Sequence, residues 1–517
     1  MKCDNTFLRT FSVISVVAGF AFLVGCGGSN GTTPVGVATT VAVSPSAVQA
    51  LGPGGTVSVT ATVTTGASST GVTWSLSGPG SLSSTTANPV TYTAPSTVAA
   101  NTAVVITATA AADSTSTGYL PLTLVPVVAG SNVAPLAVNA GPAGNSENIA
   151  FVSVDVCVAG TTTCQTVPNI QVDTGSEGLR ILQSVIPSLS LATLTDSSGN
   201  TIDNCVSFLD GSYLWGPVQV ADLRINGEVA NSALVQLISS SNSGIPTACT
   251  NGGTVNENTP TLLGANGIIG IGLEPTDCTV AGANFCDGSV SSTVPNIYFS
   301  CPSGGCSSGA GPVSIPAADQ VVNPVVLFAT DFNGSSINFP AITTTPAAAA
   351  SLNGTLTFGI GTQTNNLIPG TATSFGLDSN DNFITLYNGQ TLTASFIDSG
   401  SNGLFFPSSI TVCADNSSFY CPAPPTLVQT ATNEGATGTP TSTVNFSVDN
   451  ADTLLAITSD TAFQTLAGPQ GTANTCSNGN GSCSFDWGLP FFFGRTVFTA
   501  IDGQSVSGVG TGPFWSY

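Results

Sequence analysis

Two stretches decide how this chain reads: "QVDTGSEGLRIL" at 171–182 and "SFIDSGSNGLFF" at 395–406. Both run apolar residue, Asp, Thr or Ser, Gly, Ser, any residue, Gly, Leu, and the second Asp follows the first by 225 positions (398 − 173). A single Asp-Thr-Gly-Ser is an ordinary turn, because a short carboxylate readily bonds the backbone two residues on. Two copies in one frame point to something sharper, two carboxylates brought face to face by two related lobes. The layout around them also repeats. "GIIGIGL" places Gly270 97 residues after Asp173 (270 − 173), and "LPFFFGRTVF" places Gly494 96 residues after Asp398 (494 − 398). An apolar-Gly strand is therefore expected behind each Asp turn.

At 517 residues the chain has room for about three domains at the usual domain size. Only 6% of residues are charged, against about 25% in an average soluble domain. Gly, Ser, Thr, Ala and Val take their place, a composition that favours sheets and turns over helices with charged faces. The net charge is −22. Lys2 and Arg9 lie at the extreme N-terminus, leaving Arg180, Arg224 and Arg495 for the rest. Three arginines cannot neutralise a run of phosphates, so nucleic acid is not expected as a partner. Histidine is absent, which removes Ser-His-Asp and Cys-His nucleophile chemistry and every His-ligated metal site. No cofactor and no metal are called for. Any chemistry falls to carboxylates, hydroxyls and three arginines.

The N-terminus has a basic start, an apolar run from Phe11 to Val24, and then Gly25-Cys26, as a secretory signal does. "LVGC" at 23–26 resembles the bacterial lipoprotein box. That resemblance implies a signal over 1–26, lipidation of Cys26, a flexible tether over 27–36, and membrane attachment through the lipid. Gly27, where sorting patterns place Asp for retention, implies the outer membrane or cell surface of a bacterial envelope. Cys3 leaves with the signal, and the other twelve cysteines all follow residue 150 in a chain bound for an oxidising compartment. Sequential pairing is the simplest arrangement: Cys157–Cys164, Cys205–Cys249, Cys278–Cys286, Cys301–Cys306, Cys413–Cys421 and Cys476–Cys483. Twelve cysteines allow many other connectivities.

Residues 37–126 alternate at period two between turn-rich breaks, as in "TVSVTATV", "VTWSL", "VTYT" and "VVITAT". This reads as a β-sandwich with Trp74 in its core, and it resembles bacterial Ig-like domains without their antibody-type disulfide. The looser "VPVVAGSNVAP" (125–135) links it to the remainder. There, "FVSVDVCV" and "TVPNIQV" read as a hairpin closed by Cys157–Cys164, and "PAAAASL" (346–352) reads as at most a short helix.

From about 138 to 517 the chain resembles the pepsin-type aspartic peptidases, and in particular bacterial lipoproteins of this layout. "VDTGSEGL" and "IDSGSNGL" match the two Asp turns. "NGIIGIGL" and "FFFGRTVFTAIDG" match the strands behind them, and "GTLTFGIG" (354–361) matches the strand closing the first lobe. The resemblance implies an all-β fold: an Ig-like β-sandwich followed by a bilobal pepsin-like β-fold with lobes at 138–362 and 363–517. It implies that Asp173 and Asp398 form a catalytic dyad sharing one proton; pepsin is the standard example of such a pair. Gly175 and Gly400 would admit close backbone approach, Thr174 and Ser399 would bond across the lobe interface, and Ser176 and Ser401 would steady the outer carboxylate oxygens. Two departures stand out. The flap tyrosine stretch is replaced by "FLDGSYLWG" (208–216), leaving Phe208 and Tyr213 as flap candidates. Arg180 stands where the family carries a supporting tryptophan, and an inward-pointing arginine would pull the dyad's pKa down. The expected function is endopeptidase action on a peptide or protein substrate at acid pH. The alternative is a catalytically silent surface protein that binds or adheres through the cleft.

Overall fold

The computed structural model describes residues 38–44, 50–51, 56–66, 70–95, 98, 102–124, 132–208, 211–250, 255–290, 296–302, 305–423, 426–470 and 483–517. The expected signal over 1–26, the expected tether over 27–36, Cys26 and Cys476 lie outside these residues. The described chain is all-β, with helices of no more than five residues, and none of its helices is long and apolar enough to cross a membrane.

The N-terminal unit consists of two four-stranded sheets. One holds Thr40–Ser44, Thr56–Thr64, Val90–Thr93 and Ser81–Leu82; the other holds Ala50–Leu51, Asp113–Leu124, Thr102–Ala110 and Val72–Ser77. Alternate residues of Thr102–Ala110 are buried, which is the period-two signature of a strand with one face on a core. That core contains Val59, Val90, Tyr92, Val104, Ile106, Leu120 and Trp74. Trp74 Nε1 donates to the Ala87 carbonyl at 2.8 Å, so its polar edge is satisfied while its ring is buried.

The remaining chain is organised around a 15-stranded sheet. Its first part runs through Tyr298–Cys301, Thr201–Ser207, Tyr213–Ile225, Glu228–Ile238, Glu177–Leu182, Gly267–Ile271, Cys164–Asp173, Ala150–Val158 and Val133–Val138. Ala150–Val158 also pairs with Tyr213–Ile225, with Val156 opposite Leu223, and this curls the sheet back on itself like a barrel. Val133–Val138 then pairs with Leu352–Phe358. From there the sheet continues through Gly334–Asn338, Thr496–Ala500, Phe514–Ser516 and Ser374–Gly376. The two halves thus share one sheet. A separate seven-stranded sheet completes the second half and contains Phe383–Tyr387, Gln390–Ile397, Asp486–Trp487 and Leu404–Phe405.

The halves repeat one local motif. Cys164–Asp173 pairs in parallel with Gly267–Ile271, setting Asp173 beside Gly270, and Gly270 in turn lies opposite Gly178. In the second half, Gln390–Ile397 pairs in parallel with Asp486–Trp487, which lies antiparallel to Leu404–Phe405. The partner strand of Asp398 is therefore "FDWG", and the counterpart of Gly270 is Gly488 rather than Gly494. The near-equal spacing to Gly494 is a coincidence: "LPFF" is a 3-10 helix, Leu489–Phe492. Glycine is required at the true positions because the strand passes behind the turn at backbone contact. A Cβ on Gly270 would lie 2.5 Å from the Ser176 carbonyl oxygen, and one on Gly488 would lie 2.0 Å from that of Gly403.

The expected helix over 346–352 is instead extended. Ala348–Ala349 pairs with Ala462–Phe463, and Leu352 already belongs to Leu352–Phe358. Alanine's helix propensity is weak against a tertiary strand partner. Five of the six expected disulfides form: Cys157–Cys164, Cys205–Cys249, Cys278–Cys286, Cys301–Cys306 and Cys413–Cys421. Cys483 is disulfide-bonded, and its expected partner Cys476 is outside the described residues.

Candidate active site

Each Asp stands at the end of a strand that stops at the contact between the halves, and its turn folds the backbone onto the carboxylate. The Gly175 N–H donates to Asp173 Oδ1 at 2.8 Å and Ser176 Oγ to Asp173 Oδ2 at 2.5 Å. The second turn repeats this, with the Gly400 N–H to Asp398 Oδ1 at 2.7 Å and Ser401 Oγ to Asp398 Oδ2 at 2.9 Å. Bonds to a charged acceptor from rigid backbone fix its orientation.

The glycines face the opposite aspartate. A Cβ on Gly175 would lie 2.7 Å from Asp398 Cγ, and one on Gly400 would lie 2.6 Å from Asp173 Oδ1. Beneath them the turns are locked reciprocally. Thr174 N–H donates to Ser399 Oγ at 3.1 Å and Ser399 Oγ to the Val172 carbonyl at 2.8 Å. Ser399 N–H donates to Thr174 Oγ1 at 2.9 Å and Thr174 Oγ1 to the Ile397 carbonyl at 3.2 Å. Gln171 Nε2 adds a bond to the Gly400 carbonyl at 3.0 Å. Thr174 and Ser399 are buried, so each of these bonds replaces water that cannot reach it.

The electrostatics follow from this crowding. Burial, the charges of Asp173 and Asp486, and a hydrogen bond shared with Asp173 push the Asp398 carboxyl well above the ordinary carboxylate range, against the opposing Gly400 N–H. Asp398 retains some accessible surface, but its rise does not depend on complete burial, because two like charges beside it act in the same direction. Asp486 is a residue the motif reading missed. It is buried, its Oδ2 lies 2.6 Å from Ser401 Oγ, and burial pushes it up to about 8, with Ser401 opposing and Asp173 adding. Glu177 rises to about 8, chiefly by burial and with Asp173 contributing. An aspartate inside the apolar run "SFDWGLPFF" was the available signal for Asp486.

Arg180 points into the fold and is held by its own strand and by Asp277. Its buried guanidinium bonds the Glu177 and Gly178 carbonyls and pairs with Asp277 at 3.0 Å. Asp277 also accepts from Tyr298 and Asn204, so the arginine belongs to a buried network of its own. The flap candidates sit on one hairpin, closed by Phe208 N–H to the Ser212 carbonyl at 2.9 Å. Tyr213 is buried in a cluster with Cys205, Trp215, Cys249 and Phe299. Phe208 packs against a second cluster containing Leu182, Leu214 and Ile238. Cys413, Cys421 and Asp452 lie close together, but the two sulfurs are joined in a disulfide and offer no thiolate to a metal.

A protein-family model described as "Protein of unknown function (DUF3443)" matches residues 128–517. The chain belongs to that family. A comparison with curated proteins gives no match. Among solved structures, this DUF3443 member is similar to an aspartic proteinase from Irpex lacteus, at 14% identity and a TM-score of 0.38, covering 74% of this chain and 96% of that one. It is also similar to FdeC, an Escherichia coli adhesin, at 15% identity and a TM-score of 0.14, covering 39% of this chain and 64% of that one. Both likenesses are distant.

Proposed function

We propose that this DUF3443 protein is an aspartic endopeptidase that hydrolyses peptide bonds between its two halves at acid pH. The observation that carries the reading is the pair of facing carboxyls, Asp173 and Asp398, each bonded by its own turn and each set against the other turn's glycine. Two carboxyls so placed titrate as a unit and hold one proton between them over an intermediate pH range. The ionised member draws a proton from a water, and that water attacks the peptide carbonyl carbon. The protonated member supplies its proton to the carbonyl oxygen. Collapse of the tetrahedral intermediate returns a proton to the amide nitrogen and releases two peptides. Cys26 would anchor the enzyme by lipid to the bacterial envelope, with the sandwich as a spacer.

The test is cleavage of a denatured protein by the lipid-free protein across pH 3–7. Activity should peak below about pH 6, where one carboxyl of the pair is protonated. A statine-type mimic of the tetrahedral intermediate should block it. Asp173→Asn and Asp398→Asn should each abolish cleavage. A second reading, a binding protein without catalysis, draws on the burial of Tyr213 in the cluster with Trp215 and Phe299. Peptide binding with no cleavage at any pH would establish that reading and overturn the first.

A further inference from the structure

The two Asp turns differ in the strand that lies beside them. In the first half, the strand position beside Gln171 is Ile268. The equivalent position in the second half, beside Phe396, is Asp486. Ser176 Oγ is bonded to Asp173 Oδ2, whereas Ser401 Oγ lies between two carboxyls, 2.9 Å from Asp398 Oδ2 and 2.6 Å from Asp486 Oδ2. A hydroxyl has one proton to donate, so Ser401 cannot donate to both at once.

We propose that Asp486 is a positioning residue that, through Ser401, widens the pH range over which the Asp173–Asp398 pair keeps one proton. The inference rests on the peptidase reading for its consequence in catalysis. When Asp486 is a neutral acid it donates to Ser401 Oγ, and Ser401 donates to Asp398 Oδ2, favouring the ionised form of Asp398. When Asp486 ionises it takes the Ser401 hydrogen bond for itself and adds a third negative charge. Both changes make the pair hold its remaining proton more tightly.

The neutral form is the one the fold accommodates at acid pH. Asp486 is 3% exposed, and its Oδ1 has no hydrogen-bond partner among the described residues, an arrangement far more costly for a carboxylate than for the carbonyl of an acid. Among the described residues, the charged groups that act on Asp486 and Asp398 are acidic, Asp173 on both and Asp486 on Asp398; Glu177, which Asp173 pushes up, is also drawn down by Arg180. The described arginines are engaged elsewhere. Arg180 pairs with Asp277, Arg224 acts on Asp155, and Arg495 lies over the Phe491 ring. The upward displacement of Asp486 to about 8 agrees with this environment.

Asp486→Asn tests the proposal, since the amide is isosteric, donates permanently to Ser401 and carries no charge. In the pH profile of kcat/KM, the upper part of the alkaline limb, above the range where Asp486 is neutral, should move to lower pH by about one unit, while the peak and the acid limb stay in place. Ser401→Ala should cut the hydrogen-bonded part of this link, so that Asp486→Asn in that background shifts the limb less. A profile that superimposes on the parent, or an alkaline limb that moves upward, overturns the proposal. The same coupling can be read without catalysis, from the carboxylic-acid C=O stretch in infrared difference spectra. Asp486→Asn should remove one buried acid band and make the band of the pair disappear at lower pH. If the parent cleaves nothing, the peptidase reading fails, and the infrared shift alone upholds or overturns the coupling.

Discussion

Thr174→Val removes one hydroxyl at the point where the two halves meet and leaves the side-chain volume almost unchanged. Thr174 Oγ1 accepts the Ser399 N–H at 2.9 Å and donates to the Ile397 carbonyl at 3.2 Å. Ser399 is fully buried, so water cannot replace the lost acceptor. An orphaned buried N–H costs about 1–3 kcal/mol and the lost bond to a carbonyl about 1 kcal/mol, which together give about 2–4 kcal/mol. The assay is urea unfolding with the disulfides intact, accompanied by hydrogen exchange at the Ser399 amide. The midpoint should fall by that free energy, and the amide should exchange through a local opening that the parent protein suppresses. Ser399→Ala should cost a similar amount, because it orphans the Thr174 N–H and frees the Val172 carbonyl. The double variant should cost less than the sum, since the two side chains serve one lattice. A loss below about 0.5 kcal/mol for Thr174→Val, the range of a surface substitution, would refute the reasoning.

Gly400→Ala would place a Cβ 2.6 Å from Asp173 Oδ1; it should abolish cleavage, and a crystal structure of the variant should show the carboxyls displaced. Stability should fall as pH rises from about 5 to 8. Burial lifts Glu177, Asp486 and Glu274 to about 8, 8 and 9, so the fold holds protons that the unfolded chain has released. Their contribution is fully present below the unfolded values, 3.8 for the aspartate and 4.5 for the glutamates, and is lost as pH climbs through the folded values, by up to about 1.4 kcal/mol per pH unit for each group. Urea midpoints that rise or stay level over that range would contradict this. Replacing Cys205 and Cys249 together by Ala opens a link spanning 44 residues; urea unfolding should register a loss of about 2–4 kcal/mol. Cys26→Ala should move the protein out of the membrane fraction, and unchanged fractionation would remove the lipid anchor.

Features built from near neighbours were legible in the sequence. The Asp turns are local chemistry, carboxylate to backbone two residues on and hydroxyl three residues on, so "DTGS" and "DSGS" carried their own geometry. Most of the disulfides are likewise short-range, four of the five described closing between positions five to eight apart. Period-two alternation was enough to read the strands of the sandwich. Tertiary structure decided whatever depends on which distant strand lies alongside. Register made Gly488, rather than Gly494, the neighbour of Asp398, because only pairing with Gln390–Ile397 selects the strand. Asp277, far along the chain, is the ion-pair partner of Arg180, a pairing no local pattern announced. The cluster around Trp215 and Phe299 took up Tyr213. Asp486 looked like one polar residue in an apolar run until strand pairing set it against Ser401, 85 positions away. Sequence specifies which groups are present and their local turns; their electrostatic neighbours, and hence their protonation, are set by non-local packing.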